Sequence, residues 1–478
     1  MNRRPTRSTL PARWAFTASL AALPFAGAVV ATPPDAPEVV VVPEGEPTRS
    51  PDGSEPRDPP TESSADVVIV GAGAAGLAAR ARAEADGQST VLFEAQDRTG
   101  GRVWSSRDPS GVPVDLGAQL INGDMTRVLD LARESGASLH SLATAGRTVV
   151  AVDGRQIPYG GGGLEPGAGF DPDTILRRWR DLSARDAVRK LTDGKDEARL
   201  VEASPEELMG RPATELSAKG IAAVAATWGS PRGDAEFQVA EGFGALLGAL
   251  EARATGPVLL GTPATEIVAG ERGVRVAGGG HAVTAGAVVL ALPPTVILPR
   301  LALPPKIART VAPWLRSFVD GRMVKLTLGY DTPFWRYAGL SGGSLVVGDL
   351  GLTSVDGTRE DGSGARLIAF VGGRSAQALA LLGDDDAVRR VTAALAAAFG
   401  EPVLRPNAVT VSRWVDHPWS GGGYDAAVRL GGDYRAAERL GALTGRVVFA
   451  GAEYASEFRG YVEGAIRSGE SALDRVRL

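Results

Sequence analysis

Two places in the sequence hold residues whose types and spacing could do chemistry. The first is "DVVIVGAGAAGLAARARAEADGQSTVLFEA", from Asp66 to Ala95, where Gly71, Gly73 and Gly76 fit the spacing GxGxxG. Val67 to Val70 reads as a buried strand, Ala74 to Ala85 as a helix, and Ser89 to Phe93 as a second strand ending at Glu94. Such a unit binds a dinucleotide. Gly71 permits the tight turn, Gly73 lets a pyrophosphate approach the backbone, and Gly76 lets helix pack on strand. The free N–H groups of the helix N-terminus, from Gly73 to Ala75, favour the phosphates, and Glu94 is placed for a ribose hydroxyl. Three glycines alone would say little in a chain with 62 of them. The complete strand–loop–helix–strand–Glu unit is specific, although it does not separate NAD from FAD.

The second place is Lys325 in "MVKLTLGYDTPFW" (Met323–Trp335). The chain has only five lysines: Lys190, Lys195, Lys219, Lys306 and Lys325. Alternation puts Val324, Leu326, Leu328 and Tyr330 on one face of a strand and Met323, Lys325 and Thr327 on the other. On that local pattern Lys325 belongs to a wet sheet face, because lysine is rarely fully buried.

The elements that must position these residues belong to a large globular chain. It has 478 residues, 44% of them hydrophobic and 22% charged, enough for two lobes. Net charge −5 gives no sign of a nucleic-acid partner. With no cysteine, disulfides, thiolate catalysis and zinc–thiolate sites are excluded. The three histidines (His140, His281, His417) are far apart in sequence, which argues against a histidine metal site. An organic cofactor is then the expected carrier of any redox chemistry.

Residues 1–31 read as an export signal. "MNRRPTRSTLPAR" is basic, "WAFTASLAALPFAGAVVA" is apolar, and Ala26–Ala28 or Val29–Ala31 offers small residues for cleavage. The run is short for a membrane span and interrupted by Pro24; Arg3–Arg4 suggests the twin-arginine route. Export to the periplasm or outside follows, with no stable span in the mature chain. Residues 32–63, rich in Pro, Glu, Asp, Ser and Thr, read as a disordered linker in which only "VVVV" could pack. Further on, "RTVVAVDGRQIPY" reads as a hairpin over Asp153–Gly154. "FDPDTILRRWRDLSARDAVRKL" reads as one helix capped at Asp171, with Ile175, Leu176, Trp179, Leu182 and Val188 as its buried stripe.

Directly after the second strand comes "EAQDRTGGRVWS". It resembles the E-A-x-x-R-x-G-G-R signature of the flavin-dependent amine oxidases: monoamine oxidases, polyamine oxidases and L-amino-acid oxidases. "VDLGAQLING", "VVLALPPTVI" and "GRVVFAGAEYASEFRGYVEGAIRSGESAL" resemble further segments of that family in the same order. The resemblance spans most of Asp66 to Leu478 and weakens between about Arg147 and Arg232. It implies an α/β fold: a discontinuous Rossmann-like FAD-binding domain (64–140, 237–300, 417–478) and an α+β substrate-binding domain (141–236, 301–416).

The resemblance also implies roles. Arg98 and Arg102 would approach the cofactor phosphates, with Gly100 and Gly101 giving close access beside Glu94 and Ala95. Gly117, Ala118, Gln119 and Leu120 would lie along the flavin, and Ala264 would join the cofactor site. Glu453 would sit near the pyrophosphate, and Val462 would give its N–H to the flavin ring. Lys325 takes on a different meaning, since its strand resembles the one whose lysine reaches flavin N5 through a water. Tyr424 and Tyr461 match the two walls of an aromatic cage, and Asn122 sits where family members vary a residue facing substrate. Gly423 stands in the place of a cysteine that attaches FAD in some monoamine oxidases, so FAD would be non-covalent. The implied reaction is oxidation of an amine C–N bond by hydride transfer to N5, with O2 reduced to H2O2 and the imine hydrolysed. A desaturase or protoporphyrinogen-oxidase-like enzyme, an L-amino-acid oxidase and a non-catalytic flavin-binding protein are the alternatives. Expected partners are a small amine and O2, no nucleic acid, and at most a second copy of the chain.

Overall fold

The computed structural model describes residues 38–41, 61–108, 111–142, 145–158, 171–192, 194–228, 236–270 and 273–477. The expected export signal and most of the linker lie outside these residues.

The first sheet has seven strands. Val258–Leu259, Thr90–Phe93, Thr61–Val70 and His281–Leu290 follow one another in parallel. The outer edge of His281–Leu290 is shared. Its first half pairs antiparallel with Gly273–Gly278, which pairs with Glu266–Gly270, and its last three residues pair in parallel with Val447–Phe449. Val68, Ile69, Val288 and Val289 are fully buried, as expected of central parallel strands covered on both faces. The helix Ala74–Ala85 starts and stops where the sequence indicates. The carboxyl-terminal helix Val462–Ala472 packs against it, so closely that a Cβ on Gly469 would meet Ala75 O at 2.1 Å.

The strand before the glycine loop is longer than the expected Val67–Val70. It begins at Thr61, because His281–Leu290 continues to offer backbone partners down to Thr61↔His281. The linker also contributes structure at Glu38–Val41, which adds in parallel to the edge strand Ala408–Arg413 of the second sheet.

That second sheet has eight strands, in the order Glu38–Val41, Ala408–Arg413, Met323–Gly329, Arg366–Gly372, Leu352–Asp356, Leu340–Val347, Arg147–Val152 and Arg155–Ile157. The last two form the expected hairpin over Asp153 (φ 48°) and Gly154 (φ 77°). The lysine strand lies in the interior of the sheet. Val324, Leu326 and Leu328 pack with Val391 and Leu395 of the helix Asp384–Phe399, while its other face is turned to the first lobe. Six of its seven residues are buried, so the alternation marks two covered faces and no wet one.

The expected single helix after Asp171 is two. Asp171 does accept the N–H of Asp173, but Pro172–Arg178 ends at an extended Trp179. A second helix, Ala184–Leu191, starts where the Ser183 side chain accepts from Asp186 N, a local cap that competes with helix continuation.

Candidate active site

The carboxyl ends of the parallel strands converge. Val70, Phe93 and Leu290 lead into Gly71, Glu94 and Ala291, and Gly451 follows two residues after Phe449; all four of these loop positions line one long cavity between the lobes. Ligands of open α/β sheets bind at this end of the strands.

Gly71 adopts φ +101°, and a Cβ there would meet Ala291 O at 2.5 Å. A Cβ on Gly76 would meet Gly71 O at 1.8 Å, so the helix touches the loop at this point. Gly73 differs, because the nearest atom to its Cβ position is Gly100 O at 4.0 Å and the space in front of it is cavity. Gly100 bridges back to Gly73 and donates its N–H to Ala72 O at 2.8 Å, which lays the Gly100–Gly101 loop along the first glycine loop. Buried Glu94 accepts N–H bonds from Ala72 (2.7 Å) and Gln96 (2.8 Å), and burial pushes its carboxyl above the usual range. Gly73, Ala74 and Ala75 bring one helix N-terminus to the cavity, and Tyr461 and Val462 bring another.

Ala95, Arg102, Gly117, Ala118, Gln119, Leu120, Ala264 and Glu453 all line the cavity. Arg102 makes a two-pronged pair with Glu453 (2.7 and 3.0 Å) and donates to Tyr424 O at 2.8 Å. Two other expected site residues lie outside the wall. Arg98 is not in the cavity wall; it donates to Gly101 O at 2.8 Å and lies 4.2 Å over the Trp104 ring, bracing the glycine loop from behind. Asn122 is fully buried outside the wall, where its Oδ1 accepts from Asp124 N at 3.1 Å in a turn.

Lys325 is 3% exposed and faces the cavity. Its Nζ donates to Asp115 O at 2.5 Å and Gly117 O at 3.0 Å. Burial lowers its ammonium to about 8, with the Asp115 carboxylate opposing the shift. Sheet register sets Ser412, Lys325, Phe370 and Thr353 in one cross-strand row, and Lys325, Phe370 and Thr353 line the cavity. Tyr424 and Tyr461 reach the same space. Tyr424 packs on Phe370 with ring centres 6.1 Å apart, and Tyr461 packs on Trp228 at 5.0 Å.

Among the wall residues that sequence reasoning missed, three carry charge next to the tyrosines or their partners. Glu207, from the helix Lys195–Met209, accepts the Tyr424 hydroxyl at 3.1 Å. Asp425 is buried beside Glu453 and pushed up to about 6, chiefly by burial and then by that second carboxylate. Arg459, two residues before Tyr461, lines the cavity and donates to Ala455 O at 3.1 Å. Asp425 and Arg459 adjoin the recognised tyrosines and could have been noticed there. Glu207 carries no local signal and falls where the family resemblance fades.

The family model described as flavin containing amine oxidoreductase matches residues 74–226 and 169–477. The chain belongs to this family. It is 28% identical to an L-amino acid dehydrogenase of Synechocystis, over 87% of this chain and 95% of that protein. It is also 28% identical to a putrescine oxidase of Kocuria rosea (86% and 95%) and 26% identical to amine oxidase B of Sus scrofa (87% and 86%). Among solved structures, a putrescine oxidase bound to putrescine aligns with TM-score 0.77 and 25% identity, over 87% of this chain and 99% of that one. A cyclohexylamine oxidase from Brevibacterium oxydans shares the fold with TM-score 0.77. The protein is thus an FAD-dependent oxidoreductase acting on amines, and the residues present fit that cofactor. The open space before Gly73, the double-glycine approach and the buried Glu94 suit an ADP-ribose half, and the two helix N-termini suit its negative charge.

Proposed function

We propose that this chain oxidises a small amine held between Tyr424 and Tyr461, with Lys325 as the polar group at the reacting face. The observation that carries this reading is Lys325 itself. A buried lysine without a carboxylate hydrogen bond is costly, and here its two protein acceptors are main-chain carbonyls of the segment that lines the cavity. Nζ has three donors, so one remains to hold a water or a reacting oxygen. The flavin, when bound, supplies the acceptor for the electron pair of the C–N oxidation. Tyr424 and Tyr461 exclude water and orient the amine, and the Arg102–Glu453 pair fixes the backbone of Tyr424 through its carbonyl.

Dioxygen as the acceptor, giving hydrogen peroxide, is part of the proposal. So is non-covalent FAD, since Gly423 offers no thiolate and packs closely on Trp414. Export through the Arg3–Arg4 signal would carry a folded, FAD-loaded protein. An amino-acid substrate is a second reading, favoured by the similarity to the L-amino acid dehydrogenase. Glu207 in the wall opposes it, because a substrate carboxylate there would face a like charge.

The test is purification of the yellow holoprotein and a peroxide assay across amines and L-amino acids. Peroxide from amines and FAD released intact by heat are expected. Flavin bleaching with no peroxide would replace the oxidase by a dehydrogenase, and flavin left on the denatured chain would overturn the non-covalent reading.

A further inference from the structure

Two charged side chains in the wall of the main cavity have no protein partner for their charge. Asp425 is 8% exposed and Arg459 is 9% exposed, and both line the cavity. Arg459 uses Nε to donate to Ala455 O at 3.1 Å. Among the described residues nothing accepts from its two NH2 groups, and no other residue donates to the Asp425 carboxyl. No ion pair joins the two, although each lies in the field of the other. The remaining charges that face them are engaged elsewhere. Glu453 is held by both prongs of Arg102, and Glu438 is held by Arg435. None of the free atoms of Asp425 and Arg459 is sealed in protein.

A buried charge is costly unless it is paired and hydrogen-bonded, so two of opposite sign left open on one wall mark an occupant that meets both. Their chemistry narrows it. The two NH2 groups of Arg459 offer four N–H donors and no acceptor, whereas an ionised Asp425 only accepts. An inorganic anion would suit Arg459 and meet a like charge at Asp425. A simple ammonium would suit Asp425 and be repelled by Arg459. A chain of hydroxyls ending in a phosphate serves both, because a hydroxyl donates to the carboxylate and phosphate oxygens accept from the guanidinium fork.

Position agrees with chemistry. Asp425 directly follows Tyr424, and Arg459 stands two residues before Tyr461. A Cβ on Gly460 would lie 2.8 Å from Asp425 Oδ2, so the carboxyl rests on the backbone that carries Arg459. Gly460 donates its N–H to Ala452 O at 3.1 Å, which ties this backbone to the strand-end loop beside Gly451 and Glu453. The pair thus lies between the tyrosines and that loop. A cofactor with its ring at Tyr424 and Tyr461 and its ADP-ribose half at Gly73 and Glu94 passes this point with its ribityl chain and the phosphate attached to it. We propose that Asp425 and Arg459 bind this ribityl–phosphate stretch of FAD, the carboxylate accepting from a ribityl hydroxyl and the guanidinium donating to the neighbouring phosphate. The proposal rests on the flavin reading above. It adds a side-chain grip in the middle of the cofactor to the glycine loops and helix ends that hold its phosphates.

The test exchanges the flavin of purified holoprotein against flavins in solution and identifies what stays bound by chromatography after heat release. Wild type should favour FAD on the order of tenfold to a hundredfold over an analogue whose ribityl chain is replaced by a plain alkyl chain. Asp425→Ala should weaken FAD by a similar factor and should not weaken the analogue, which offers that carboxylate no donor. Arg459→Leu should weaken both, and Arg459→Lys should recover part of the loss. Equal retention of FAD and analogue by wild type overturns the proposal, and that comparison needs no variant to fold. Tighter FAD in Asp425→Ala also overturns it, since the phosphate would then face the carboxylate. Unchanged FAD affinity in Asp425→Ala and Arg459→Leu, with a raised KM for L-amino acids, overturns it too, because the pair would then hold the carboxylate and amino group of a substrate. Failure of the amine reading would show separately, as bound flavin that no amine bleaches.

Discussion

The two halves of the main cavity are made of different material. The glycine end is largely backbone: Gly71, Gly73, Gly76, Gly100 and Gly101 allow close approach by what they lack, with the buried Glu94 side chain beside them. The facing wall is built of side chains brought from far apart in sequence, among them Lys325, Tyr424, Tyr461, Phe370 and Glu207. A cradle of close backbone contacts should fail in an all-or-none way when an atom is added. A wall of side chains should fail by degrees when one is trimmed.

The glycines divide that first expectation further, and they carry the largest effects. Gly76→Val would force a Cβ to within 1.8 Å of Gly71 O, with no flexible group to yield. The variant should be unfolded or insoluble, as judged by circular dichroism and yield. The Cβ of Gly73→Val would meet no protein atom nearer than 4.0 Å, and the φ of −71° suits any residue. It should fold with a near-normal melting temperature and yet retain little FAD, because its side chain enters the pyrophosphate space. A Gly73→Val protein with full FAD content would show that this space is not where the cofactor lies.

Lys325→Met sharpens the other side. The fold and FAD content should survive, while one flavin half-reaction slows on the order of a hundredfold in rapid-mixing kinetics. The same substitution should change the pH dependence of stability. Burial holds the folded-state value near 8, below the ordinary 10.5. Between those values the unfolded chain keeps a proton that the folded chain has lost, so wild-type stability rises with pH through that window. Below it both states are protonated and the full penalty, on the order of 3 kcal/mol, is present. Urea midpoints at pH 7.5 and 9.5 should therefore show an upward slope in wild type that Lys325→Met lacks. Equal slopes would mean that Lys325 keeps the proton affinity of an ordinary, well-solvated lysine in the folded protein.

The same difference in material explains what could be read from the sequence. A backbone cradle must be written as consecutive spacing, and Asp66 to Glu94 gave its turn, helix, second strand and acid almost to the residue, whereas its first strand runs back to Thr61. Lys325 was visible as an anomaly, but local alternation pointed to water. Only the tertiary context, a sheet sandwiched between a helix and the other lobe, reverses that. Arg98 and Arg102 share one motif, yet they part because Trp104 and the Gly101 carbonyl capture the first while buried Glu453 captures the second. Those partners lie one turn away in one case and hundreds of residues away in the other. Glu207 was illegible for the same reason, as its meaning comes wholly from Tyr424, 217 positions on.

Tyr424→Phe is the smallest change and separates ring from hydroxyl. The ring lines the cavity and packs on Phe370, and neither feature needs oxygen. The hydroxyl donates to Glu207 at 3.1 Å. Losing it removes one partly buried, charge-assisted bond, worth about 1 to 2 kcal/mol. The expected cost to kcat/KM is then about fivefold to thirtyfold, from a less firmly oriented ring. Glu207→Gln, which keeps an acceptor for the same hydroxyl, should cost less than Tyr424→Phe. A loss near a thousandfold in Tyr424→Phe would place the hydroxyl in the chemistry itself, and the wall would then share the all-or-none behaviour of the cradle. A graded loss keeps the two halves apart, with the glycine end shaped by absent side chains and turnover tuned by present ones.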